Sequence, residues 1–427
     1  MTEIHRPKGP EALAPAGRFG ASGTDATSSH WLAQAQRRAE ERFAALGLPT
    51  TQLEEWRHAS LLPVAAMLTD PPAPTRSSPT RAALDAQFGA GPRLVFDHGH
   101  YAPELSNPGP DGVVLSPLAA AIPTLEGLLA SIAERAPDGV ALLNAARFRD
   151  GAFVRVARGR AVEAPIHLVF VGPATVRSLI DLSGASSAEI VETHLLPEGS
   201  SLGIAGNAYT EIVLGMGASL RYARLFMGAG AAVSLSKVEV LHGRDSRFFG
   251  TLASIGGRLA RTELRARLES GAEHDLAAVY QVAGQENADV LTHLEHAGSH
   301  GVSRQVVKGV IDDQATGTFY GKVRVEAGTA KNDARQSSRS LLLSGKATAN
   351  TRPQLEIDSE DVACSHGATI GRLDEEQVFY LVSRGISEPE ARRILVRAFA
   401  GDIVDRLADA QVRRLFAEAL GAEGGRR

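Results

Sequence analysis

From residue 29 the chain places Leu32, Ala35, Ala39, Phe43 and Leu46 on one face of a 3.6-residue period, and Gly47 with Pro49 ends the pattern. This predicts an amphipathic helix. A Pro/Ser/Thr-rich spacer at 70–80, a short strand at Arg93–Asp97 and a second helical stretch at 118–133 follow. Beyond about residue 151 the period drops to 2. It is clearest at 261–269, where Thr262, Leu264, Ala266 and Leu268 alternate with Arg261, Glu263, Arg265, Arg267 and Glu269. Such a strand buries one face and wets the other. Similar segments recur at 188–196, 208–214, 219–226, 234–241, 277–282, 303–311, 318–325 and 338–343, punctuated by glycines. After Gly371 the helical period returns. Asp374 with Gln377 reads as a capping box closed by Gly385, and Ser387-Glu388-Pro389-Glu390 opens a helix carrying Ala391, Ile394, Leu395, Ala398 and Phe399 on one face. Val412, Leu415, Phe416, Ala419 and Leu420 mark a last helix.

Many short strands between glycine-marked turns predict either a sandwich or a β-solenoid. Only 5% of residues are aromatic and no Trp follows Trp56. A narrow bore filled by Ile, Val, Leu and Ala suits that composition better than an aromatic-anchored sandwich. The expected organisation is a loose tail over 1–28, a helical and mixed region over 29–145, a β core over 146–370 and a helical unit over 371–427. The last is too short to bury a core alone, so it must pack on the β body or on a partner.

A length of 427 residues predicts more than one domain. The net charge of −4 gives no basic excess to hold phosphates and makes an obligate nucleic-acid partner unexpected. No apolar run is long enough to span a membrane or to serve as a secretory signal, which predicts a soluble chain. No phosphate-binding GxxxxGK[ST] and no GxSxG nucleophile elbow are present.

The single cysteine changes the picture. It forbids an intrachain disulfide, which favours a reducing cytoplasm, and it cannot hold a four-thiolate cluster within one chain. Cys364 lies two residues from His366, in a segment that also carries Glu356, Asp358, Glu360 and Asp361. On an extended strand that spacing puts thiol and imidazole on one face, close enough to share a metal. A small buried thiol beside a hydrogen-bonded imidazole is the plainer alternative. A second cluster, His293, His296 and His300 with Asp289 upstream, has helix-like metal spacing in a region patterned as strand.

The run ANTRPQLEIDSEDVACSHGATIGRLDEE at 349–376, preceded by KNDARQSSRSLLLSGKA and followed by FYLVSRGI, resembles the SufB/SufD family of iron–sulfur cluster assembly scaffolds. LEEWRH at 53–58 resembles an element near the start of its SufD branch, and the lone cysteine fits that cysteine-poor branch. The resemblance implies a mainly β fold: a right-handed parallel β-helix core between N-terminal and C-terminal α-helical domains. It implies a non-catalytic cytoplasmic subunit that pairs with SufB through the β-helix end and with the ABC-type ATPase SufC through the C-terminal helices. It also allows self-association when the subunit is isolated. It places Cys364 and His366 near the SufB interface as ligands of a transient iron or iron–sulfur cluster, with no cofactor permanently bound. Two rivals stand beside it. One is a purely structural subunit with all cluster chemistry in SufB. The other is a β-helix enzyme with a Cys364 nucleophile and His366 base, which lacks a third orienting residue and an oxyanion donor.

Overall fold

The computed structural model describes residues 30–69, 79–125, 138–195 and 205–422. The tail at 1–28, most of the 70–80 spacer and residues 126–133 of the second helical stretch lie outside them. Successive strands from Ala152–Val156 to Val362–Arg372 alternate between a nine-stranded sheet B and a ten-stranded sheet A. From Thr175–Leu182 onward each strand lies parallel and in register with the one two places earlier in the chain. Two strands and their turns thus make one coil, and the coils stack into a parallel β-solenoid. The solenoid expectation holds.

Inward positions form continuous rows along the bore. Ile180, Ile212, Val240, Ala266, Leu294 and Val323 stack in one such row of sheet B and belong to the central core. Larger side chains fit where the next coil of the same sheet, or the facing sheet, carries glycine. A Cβ on Gly309 or Gly317 would lie 2.4 Å from the Tyr280 ring.

Both outer faces are covered. Helices His30–Leu46 and Gly139–Arg147, with Trp56, pack on Leu179, Tyr209, Leu235 and Leu259 of sheet B. The Arg261 guanidinium stacks 3.6 Å over the Trp56 ring and pairs with Asp289 at 2.9 Å. The helix Arg81–Phe88 and the C-terminal helices cover Val191, Ala223, Ala253 and Val279 of sheet A. The N-terminal region is also stitched into the sheets. Arg93–Asp97 pairs in parallel with Ile166–Val171, and Val113–Pro117 pairs antiparallel with Ala152–Val156.

Several local expectations need correction. Leu46 is exposed at the end of the first helix, where Gly47 adopts a φ of 71°. Asp374 caps Glu375–Ser383 through the amide of Glu376, not that of Gln377. Ser387 stands at the next cap position without a side-chain hydrogen bond. In Glu388–Val404 the buried residues are Ala391, Ala400, Ile403 and Val404, the last three in the core on sheet A, whereas Ala398 is exposed on another face of the helix. Among the described residues, no helix is long and apolar enough to cross a membrane.

Candidate functional site

The solenoid ends in two strands, Thr348–Ile357 of sheet B and Val362–Arg372 of sheet A, each with a neighbour on one side only. Pro353, which lacks an N–H, is compatible with such an edge. Cys364 lies opposite Ala334 and His366 opposite Gln336. Ala334 is fully buried in the bore, and Cys364 packs against the same core, so the even positions of the last strand face inward. Cys364 is half-buried. His366, two residues on, is exposed at the open end.

The period-2 spacing therefore does place sulfur and imidazole on one face of one strand. No hydrogen bond joins them, which leaves the enzyme alternative without an activated nucleophile. Burial pushes the Cys364 thiol up, the nearby Asp333 carboxylate adds to this, and a backbone contact with Ala334 opposes it. Cys364 is thus a neutral thiol near pH 7 and would lose its proton on binding a metal. The neighbouring carboxylates do not join the pair. Glu356 bonds Lys322 at 2.7 Å, Asp361 bonds Lys331 at 2.8 Å, and Asp358 faces Arg324 at 3.7 Å. They form a solvated, charge-paired edge.

The histidine cluster at 293–300 is not brought together. An odd spacing on a strand sends His293 outward and His296 inward, where His296 meets the Ser303 hydroxyl at 2.9 Å. His300 sits in a left-handed turn with φ 61°. His293 instead meets Glu55 of the N-terminal region and Glu263, a triad whose ligand atoms lie within 4.8 Å of one another. Its electrostatics oppose a metal. Lys237 and Arg265 already occupy the two carboxylate oxygens of Glu263. Burial, reinforced by Arg265, holds His293 neutral down to about 3, and the positive field of Arg265 and Lys237 would repel a dication equally. The triad fastens the Glu54–Trp56 turn onto sheet B.

This chain matches the family model described as SUF system FeS cluster assembly, SufBD core domain, over residues 172–399. It belongs to the SufBD family. An iron–sulfur cluster assembly SufBD family protein of Synechocystis sp. is 29% identical over 403 residues, covering 89% of this chain and 88% of that one. The iron–sulfur cluster assembly protein SufD of Escherichia coli is 28% identical over 91% of this chain and 92% of its own length. The SufD of Bacillus subtilis is 29% identical over 62% of each.

The SufBD core match runs from the early coils through the edge strand carrying Cys364 and His366 into the helix Glu388–Val404. This SufBD protein is therefore an iron–sulfur cluster assembly protein, and the open end of its solenoid lies inside the matched region. The sequence pattern did not single out the polar residues just behind that end, Gln305 and Gln336. Their signal was present: with His366 they recur about 30 residues apart, one coil of the solenoid.

Proposed function

We propose that this chain is a non-catalytic, cytoplasmic scaffold subunit in which His366, with Cys364, supplies part of an iron or iron–sulfur ligand set that a SufB-like partner completes. The observation that carries the reading is the position of this S/N donor pair, at the rim of an unpaired solenoid end. Two donors cannot close a coordination sphere, so the cargo is held only while another molecule is docked and is free to leave afterwards. The edge strands offer unpaired backbone groups, with the half-exposed Ile370 beside them. This suits pairing with a second solenoid, or with another copy of this chain when the subunit is alone.

A second face supports the ATPase partner. Glu375–Ser383 buries Val378 but leaves Phe379 73% and Tyr380 56% exposed. Adjacent exposed aromatics on a helix beside the open end suit a protein partner such as SufC.

The test is the iron and sulfide content of the complex co-expressed with its SufB and SufC partners, with wild-type chain or His366→Ala. Loss of most of the bound iron, with the complex intact on gel filtration, is expected. Retention of wild-type iron together with full activation of an apoprotein acceptor would leave a purely structural subunit.

A further inference from the structure

Behind His366 the bore turns polar. Along sheet A, Leu276, Gln305, Gln336 and His366 stand side by side in register. Gln305 and Gln336 are only 2% and 3% exposed. Neither end of either amide has a hydrogen-bond partner among the described residues. On the facing sheet, the Thr292 and Thr351 hydroxyls are buried and unpaired as well. An unpaired buried amide costs about 1–3 kcal/mol, and leucine would fill the same space without that penalty. Packing therefore does not account for two glutamines in successive coils.

The place of Gln336 is fixed from the other side of the bore. Its side chain reaches Gly321 of sheet B, where any Cβ would lie 2.2 Å from Nε2. Glycine there makes room for the amide. The same side chain starts one strand spacing, about 4.8 Å, from His366. The His366 ring has no hydrogen-bond partner among the described residues. A histidine that gives one ring nitrogen to a metal usually gives the N–H of the other to an acceptor, which sets its tautomer and ring plane.

We infer that Gln336 is the positioning residue for His366. Its Oε1, unpaired in this structure, accepts the imidazole N–H when the exposed ring turns inward, and holds the second ring nitrogen free toward the open end. Gln305 stands one coil deeper in the same row. This rests on reading His366 as a ligand, and the two ideas fail separately.

The full-length chain is labelled with ¹⁵N-histidine, and the His366 tautomer is read at pH 8 from long-range ¹⁵N correlations. Iron retention is measured in parallel on the co-expressed complex. Wild type should show one tautomer. Gln336→Leu should show a mixture and bind iron at least about tenfold more weakly. Gln336→Glu, which keeps the acceptor, should restore both. Gln336→Leu should melt no lower than wild type, since it removes a buried Nε2 that has no acceptor, and Gln336→Met replaces it if it does not fold. A wild-type tautomer and wild-type iron in Gln336→Leu, with iron lost in His366→Ala, overturns the positioning role and leaves the ligand role standing. Iron kept in His366→Ala with the tautomer lost in Gln336→Leu removes the ligand role and keeps the hydrogen bond.

Discussion

Glu192 is ionised inside the bore. Burial alone would raise its pKa, but hydrogen bonds and charge from His194, Arg224 and Tyr222 outweigh burial and bring it to about 2. His194 lies at 2.6 Å, Tyr222 at 2.7 Å, Thr210 at 2.9 Å and Arg224 at 3.2 Å. Truncating the one permanent cation strands the carboxylate, so Arg224→Met should destabilise the fold by about 3 kcal/mol. The double variant Glu192→Leu/Arg224→Met should be milder than Arg224→Met alone. Urea unfolding of the three chains checks the order, and a double variant as unstable as Arg224→Met would show that packing, not charge, dominates there. None of these residues stood out in the sequence, because an inward Glu and an inward Arg are recognised only once the coils are stacked. Cys364 and His366 did stand out. Their spacing of two on an extended strand fixes a shared face without knowledge of the neighbours, whereas the spacing of three between His293 and His296 gives a helix-like motif that a strand splits.

At the level of elements, the strand at 261–269 was legible because its outward residues are charged and alternate with Thr, Leu and Ala, although its outer face is not wet as expected: ion pairs with Asp289 and Lys237 bury Arg261 and Glu263 under the N-terminal region. The strand Arg247–Ile255 was not, since C-terminal helices cover the outer face of sheet A and nearly every position of that strand is buried. Burial on both faces erases alternation. The last two strands were read as a chemical segment, not as strands, for the opposite reason: at the open end most of their positions are exposed. The three C-terminal helices divide in the same manner. Val412, Leu415 and Phe416 serve the core on sheet A, while Phe379 and Tyr380 face outward. Phe379→Asp with Tyr380→Asp should therefore leave the melting temperature within about 2 °C of wild type, as expected of surface substitutions, yet abolish co-purification of the SufC-like ATPase. Ile370→Lys on the edge strand should weaken capture of the SufB-like partner and spare the ATPase. Loss of both partners from either variant would mean that the two surfaces act as one.

The whole solenoid carries an acid liability that follows from where its histidines lie. Burial lowers His167 to about 4, His242 to about 3 and His296 to about 4, and drives His274 well below its ordinary value. His242 and His274 share a hydrogen bond at 3.0 Å inside the bore, which only one proton between the facing nitrogens can satisfy. In the unfolded chain these rings protonate near 6.5. As pH falls below that value the unfolded state binds protons that the folded state refuses. Stability is thus fully present above about pH 6.5 and declines toward about pH 4, by up to about 1.4 kcal/mol per pH unit for each histidine. Burial raises Glu55, Asp150, Glu189 and Asp289, which act in the opposite sense. The window from about pH 5 to 6.5 is where the histidines' contribution falls. Urea midpoints measured across it should fall steadily with acid. His274→Phe, which keeps a flat ring against Phe248, should reduce the slope by about one histidine's share even if its stability at pH 7.5 drops. A slope unchanged in that variant would mean that His274 takes up its proton in the folded bore, and that the interior is wetter than its apolar rows imply.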